Sequence, residues 1–139
     1  MKKLLLILAF AISGLVAAAQ GTNFEDGSLA DGLKTAGNEN KLVFVDVYTT
    51  WCGPCKYMSS TIFPSEEVGK VMNGNFVSLK IDAEQGEGLD VAKTYSVKAY
   101  PTMLILDKTG KELGRIVGSS RTPKDFVKVL NDKLAELKK

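Results

Sequence analysis

The sequence predicts an α/β fold, with one central mixed β-sheet flanked by helices on both faces. Three observations predict it. Leu42-Val43-Phe44-Val45-Asp46-Val47-Tyr48 is an almost unbroken apolar, β-rich run. That is the pattern of a strand covered on both faces and set among parallel neighbours. Helix-type and strand-type segments alternate along the chain, as in layered α/β proteins. Finally, Asp107-Lys108-Thr109-Gly110 is a turn between two strand-like runs, so part of the sheet is a hairpin and therefore antiparallel.

The elements follow in order. Gln20 to Asn23 read as a loose leader. Ser28-Leu29-Ala30-Asp31 has the logic of a capping box and opens a helix that Gly37 ends. The strand Leu42 to Tyr48 runs into a helix that carries Cys52 and Cys55 and reaches about Thr61. The chain breaks at Phe63-Pro64, and Ser65-Glu66-Glu67 restarts a helix with a cap and two acids at its positive end. Phe76 to Asp82 is the next strand and Leu89 to Tyr95 a short helix. Thr102 to Leu106 and Lys111 to Val117 are the hairpin strands. Thr122-Pro123 opens the last helix, where Phe126, Leu130, Leu134 and Leu137 form one stripe for burial.

The chain has 139 residues, which suggests one domain with enough apolar content for a core. Lys2 and Lys3, the apolar run Leu4 to Val16 and the small residues Ala17-Ala18-Ala19 have the parts of a secretory signal peptide. Cleavage is expected after about Ala19, leaving residues 20–139 as the folded domain. The alternative is an uncleaved membrane anchor, although the run is short against the roughly 20 apolar residues a span requires. The full chain carries 18 basic and 16 acidic residues. Losing Lys2 and Lys3 leaves 16 of each, so no basic excess remains to bind nucleic acid.

Cys52 and Cys55, in Trp51-Cys52-Gly53-Pro54-Cys55, are the only cysteines, and there is no histidine. That leaves too few soft ligands for a closed metal site. Reversible making and breaking of one disulfide remains as the chemistry of the pair. The preceding strand places Cys52 at a helix N-terminus, where unpaired N–H groups and the helix dipole favour its thiolate. Cys52 is then the attacking thiol. Cys55, a turn inside the helix and expected to be more buried, is the one that attacks Cys52 in turn. Pro54 fits the first helical turn, and Gly53 lets the chain turn sharply and a partner backbone approach. A static structural disulfide and a metal half-site shared between two chains are the alternatives.

Asp46 is the one acid in its apolar strand, where burial would raise its pKa. Standing six residues before Cys52, it is placed to take the proton of Cys55. The alternative is a surface acid on a strand end. Tyr100-Pro101 precedes a strand, where its backbone would form a docking edge for an extended peptide. Residue statistics alone favour a trans bond there. Trp51 and Tyr48 either form a contact surface beside Cys52 or pack over the end of the sheet.

Together Val45-Asp46, Trp51 to Lys56, Pro101-Thr102 and Val117-Gly118 resemble the thioredoxin family, over nearly the whole chain from Phe24. The resemblance implies a thioredoxin fold with Tyr100–Pro101 cis, Cys52 as nucleophile, Cys55 as resolving thiol and Asp46 as proton-transfer group. Some details depart from ordinary thioredoxin, among them Tyr100 in place of the usual isoleucine. Ser60 stands where a proline kinks the helix, and Ser78 replaces a lysine beside the buried acid. The details Thr61-Ile62-Phe63 and Lys80-Ile81-Asp82 are similar to exported members and to the C-terminal periplasmic domain of thiol:disulfide interchange proteins.

The function this implies is a periplasmic thiol–disulfide oxidoreductase working mainly as a reductase, without cofactor and as a monomer. Its substrates would be disulfide-containing exported proteins. Its electrons would come from a membrane thiol transporter, because an oxidising compartment does not keep a dithiol reduced. An oxidase or isomerase, and a non-catalytic peptide-binding module, are the rival readings. Trp51, Gly53, Pro54, Tyr100 and Pro101 would meet the substrate.

Overall fold

The structure is a computed structural model and describes residues 20–139. The expected leader and its cleavage point lie outside the described residues. Among the described residues no helix is long and apolar enough to cross a membrane.

Five strands form one mixed sheet: β1 Phe24–Glu25, β2 Leu42–Tyr48, β3 Phe76–Asp82, β4 Thr102–Leu106 and β5 Glu112–Val117. Their order across the sheet is β1-β3-β2-β4-β5. The β1–β3 and β3–β2 pairs are parallel, while β4 runs antiparallel to both β2 and β5. The helices are α1 Leu29–Glu39, α2 Gly53–Tyr57, α3 Glu66–Asn75, α4 Gly88–Thr94 and α5 Pro123–Leu137. Between α2 and α3 lies a π-helical turn, Met58–Ile62.

Because β2 is central, alternate residues of its apolar run enter two separate cores. Val43, Val45 and Val47 join Leu79, Leu104 and Leu106 under α1 and α4. Phe44 points the other way, into Phe63, Phe76, Met58 and Phe126 under the π-turn, α3 and α5. Phe126 and Leu130 are fully buried, and Leu134 and Leu137 pack at the margin, so the α5 stripe is seated as its spacing required. Burying one such phenylalanine contributes about 1.5–3 kcal/mol.

The caps behave largely as their chemistry suggests. The Asp31 amide donates to Ser28 Oγ at 3.1 Å, and the Ser28 amide donates to Asp31 Oδ2 at 3.0 Å. The Asp125 amide donates to Thr122 Oγ1 at 3.1 Å, with Pro123 behind it at the helix start. Ser65 holds the cap position of α3 without a side-chain bond.

Two expectations need correction. Helix α1 runs past Gly37 to Glu39 and ends on Asn40, which adopts the left-handed conformation at φ 53°. Asn tolerates that conformation, so it terminates a helix nearly as well as glycine. Nor is the segment before β1 loose. The Thr22 amide donates to Phe63 O at 2.7 Å, and Asn73 Nδ2 donates to Gly21 O at 3.0 Å. The Asn23 amide donates to Asn73 Oδ1 at 2.8 Å. This strap lies so close to α3 that a Cβ on Gly69 would come within 2.2 Å of Gln20 O.

Candidate functional site

Strand β2 delivers the chain to the cysteines. Past Tyr48 it turns through buried Thr49, and the Cys52 amide donates to Thr49 O at 3.4 Å. Cys52 is the N-cap of α2, with extended φ and ψ of −78° and 110°, and Pro54 stands in the first turn. The Cys55 amide donates to Cys52 Sγ at 3.2 Å, so the sulfur takes the part a cap oxygen usually plays. The two cysteines are joined as a disulfide. The sequence had separated them by exposure. In the disulfide form they are 4% and 3% exposed, so what separates them is position on the helix and this N–H···S contact.

The rim is open. Trp51 is 65% exposed, its Nε1 donates to Glu84 Oε1 at 3.0 Å, and its ring meets Tyr100 edge-on at 6.0 Å. Trp51 thus stands out beside Cys52 instead of packing down over the sheet. Gly53 and Pro54 are exposed, and a side chain on Gly53 would meet nothing. The Tyr100–Pro101 bond is cis, as the family resemblance implied and residue statistics did not. Tyr100 is half-buried, while Pro101 is buried and its carbonyl accepts from the Gly118 amide at 2.9 Å.

Asp46 is fully buried, which disposes of the surface-acid alternative. It shares the face of Phe44 and Tyr48, toward the helix that bears the cysteines. Burial pushes its carboxyl above the ordinary range, and the neighbouring Lys80 charge and hydrogen bond oppose that shift. Lys80 Nζ donates to Asp46 Oδ2 at 3.0 Å, while Oδ1 has no hydrogen-bond partner among the described residues. The sequence had found Ser78 in place of a lysine beside this acid, which left the acid's tuning open. Lys80, two positions on, supplies a counter-charge.

Sequence reasoning missed Lys80, although the signal was present. Strands β2 and β3 are equal seven-residue runs paired in parallel from Leu42↔Phe76, which sets Asp46 opposite Lys80. Two further participants went unnoticed. Ser59 Oγ accepts from Lys80 Nζ, and Glu84 holds the Trp51 indole. A cavity of about 260 Å³ brings Ser59 and Lys80 together with Cys55, lined also by Tyr48, Thr49, Thr50 and Lys56. A larger one of about 440 Å³ opens at the far end of β2, beside Leu42 and Leu137. Among the described residues no cluster of three or more cysteines, histidines or acids suits a metal ion.

The chemistry available is therefore that of one disulfide at a helix start, flanked by an exposed aromatic rim and a buried acid–ammonium pair. Comparison with known proteins agrees. Residues 29–134 match the family model described as a thioredoxin-like domain. Thioredoxin-1 of Saccharomyces cerevisiae is 39% identical over 99 residues, covering 71% of this chain and 86% of the yeast protein. Thioredoxin H2-1 of Oryza sativa subsp. japonica is 42% identical over 87 residues, covering 60% of this chain and only 56% of the rice protein. Among solved structures, a proposed disulphide-isomerase from Bacteroides thetaiotaomicron superposes with a TM-score of 0.73 at 42% identity, covering 85% of this chain and 97% of that one. The oxidised C-terminal domain of DsbD from Neisseria meningitidis gives 0.63 at 21% identity, covering 81% and 98%, a likeness of fold alone. The chain belongs to the thioredoxin family of thiol–disulfide oxidoreductases, with Cys52–Cys55 as its redox pair.

Proposed function

We propose that this protein is an exported, periplasmic disulfide reductase. The observation that carries the reading is the Cys52–Cys55 pair at the start of α2, with Cys55 opening onto the cavity that Lys80 also lines. In the dithiol form the Cys52 thiolate attacks one sulfur of a substrate disulfide. The substrate S–S bond breaks, one substrate thiolate leaves, and a mixed disulfide with Cys52 remains. Asp46 takes the proton of Cys55. The Cys55 thiolate attacks Cys52 Sγ and expels the second substrate thiolate. The substrate has gained two electrons, and the protein is left as the disulfide seen in the structure.

The direction rests on Gly53-Pro54, the dipeptide of thioredoxin, whose potential lies near −270 mV. A leader ending at about Ala19 would carry the domain out of the cytosol, where a membrane thiol transporter would return it to the dithiol form. Trp51, Gly53, Pro54, Tyr100 and Pro101 form the surface that receives an extended substrate segment. An isomerase is the second reading, favoured by the likeness to the Bacteroides protein.

The deciding experiment replaces Cys55 with serine in cells and captures what stays bound through Cys52. Exported proteins held as mixed disulfides are expected. Capture of cytosolic proteins alone overturns the location, and no capture overturns the enzyme. Equilibration of the wild-type pair against glutathione separates the two directions. A potential near −270 mV supports the reductase, and one near −180 mV supports the isomerase.

A further inference from the structure

Tyr57 closes α2, two residues beyond Cys55. It is exposed, so its role is not that of a core ring. Its hydroxyl donates to Arg121 O at 2.6 Å, across 64 residues of sequence. A phenolic hydroxyl is a directional donor, and a backbone carbonyl suits it well. The bond ties the helix that carries the cysteines to the segment 118–121, which joins β5 to α5.

The sheet brings that segment to the redox pair. Thr102 pairs with Val47 on one side and with Val117 on the other. The end of β2, the start of β4 and the end of β5 therefore meet at one edge of the sheet, the edge from which the chain turns into Cys52. The segment starts on Gly118, whose φ of 88° lies in the left-handed region and whose amide donates to Pro101 O at 2.9 Å. It runs into Thr122, which caps α5 by accepting from the Asp125 amide at 3.1 Å. Among the described residues, Ser119, Ser120 and Arg121 make no hydrogen bond except the one from Tyr57. Without it, the stretch between two fixed ends is held by chain geometry alone. Exposed apolar side chains mark the same edge: Trp51 precedes Cys52, and Val117 leads into the tied segment.

We propose that the Tyr57 hydroxyl is a positioning group for substrate: it fixes the segment 118–121 beside Pro101, so that an extended stretch of a protein substrate meets a surface already in place. This rests on the reductase reading given above. Exchange at the sulfurs does not require the segment, whereas holding the chain that flanks a substrate disulfide does. A preformed surface avoids the ordering cost that a loose segment would bear on binding. The tie also makes that surface and the attacking sulfur parts of one unit, because Cys52 and Tyr57 bound the same short helix.

The test measures turnover of insulin, a protein with accessible disulfides, with dithiothreitol as electron donor. The two dithiothreitol thiols become a cyclic disulfide and reduce Cys52–Cys55, which passes the two electrons and two protons to an insulin disulfide. Tyr57→Phe removes one oxygen and keeps the ring. Its KM for insulin should rise about three- to fivefold while kcat stays within about twofold, the mark of binding lost equally from ground and transition states. Hydrogen exchange at the Gly118 amide should quicken in the same variant, while exchange at the Thr22 amide, on the strap, should not. Tyr57→Ala, which loses the ring as well, should raise KM little further. An unchanged KM in Tyr57→Phe overturns the inference. So does a loss confined to Tyr57→Ala, since the ring and not the hydroxyl would then carry it. Equal slowing with Ellman's reagent, which presents no polypeptide to the segment, overturns it too, because the hydroxyl would then act through the cysteines. If the wild-type protein reduces Ellman's reagent but not insulin, the reductase reading falls and this inference with it. If wild type reduces insulin and Tyr57→Phe matches its KM, only the inference falls.

Discussion

One face of the sheet is packed with aliphatic side chains, the other with rings. Under α1 and α4 the valines of β2 meet leucines and isoleucine, with no buried charge among them. Across the sheet, Phe24, Phe44, Phe63, Phe76 and Phe126 form a chain of edge-on and tilted contacts 5.0–6.5 Å apart. Among the described residues the one fully buried acid, Asp46, lies on this second face with its ammonium partner. The rings do two jobs that aliphatic groups do not. Their negative faces stabilise Lys80, and Phe24 and Phe63 wall a cavity that Lys80 and Ser59 also line. The aliphatic face is scaffold, and the aromatic face is scaffold and site at once.

Substitutions on the two faces sharpen this contrast. Phe126→Ala should cost about 3–5 kcal/mol, and Leu104→Ala about 2–5 kcal/mol, in urea denaturation. Phe126 touches Phe63, which borders Lys80, so Phe126→Ala should also slow release of substrate from the mixed disulfide. Leu104→Ala should not. Similar slowing in both variants would break the division of labour.

Glycines give a second and smaller contrast. A Cβ on Gly69 meets backbone, the Gln20 carbonyl at 2.2 Å, whereas one on Gly32 meets the flexible end of Leu79 at 2.4 Å. Each replacement by alanine gains about 1 kcal/mol of helix propensity. Against that, Gly69→Ala must push the strap away, for a net loss of about 1–3 kcal/mol. Gly32→Ala should come out near neutral. Hydrogen exchange at the Thr22 amide, bonded to Phe63 O, reads the strap directly and should quicken only in Gly69→Ala.

The buried acid gives the smallest effect, and one that depends on pH. Because burial raises the Asp46 carboxyl above its value in the unfolded chain, both states are protonated in strong acid and nothing is lost there. As pH rises past the ordinary carboxylate range, the unfolded chain ionises first, and stability declines until the folded carboxyl also ionises. Asp46→Asn should remove this decline. It should gain about 1.4 kcal/mol at neutral pH for each unit of upward shift, and nothing at pH 3. Denaturation at pH 3, 5 and 7.5 checks the sign. A variant equally altered at all three would place the acid's effect in packing instead.

Much of this molecule was readable in the sequence because its strongest signals are local. Strands β2 to β5 and the starts of α1, α3 and α5 follow from apolar runs, caps and prolines, and each fell within a residue or two of expectation. The cysteine pair and the buried acid were legible for the same reason. What escaped depends on groups far apart in sequence. Strand β1 is two residues long and has no period to detect. The π-turn differs from an α-helix by one shift in hydrogen bonding, which leaves no mark in composition. Lys80 and Ser59 join the site only through strand register and through the angle at which the helix crosses the sheet.

The seating of Phe126 carries one more consequence. The first and last rings of that face, Phe24 and Phe126, come from opposite ends of the described chain, and the last closes over Phe44 and Phe63. A ribosome that has not yet extruded α5 therefore holds a nascent chain with those two rings still bare. Such a chain keeps apolar surface exposed, the kind that chaperones recognise, until α5 has emerged.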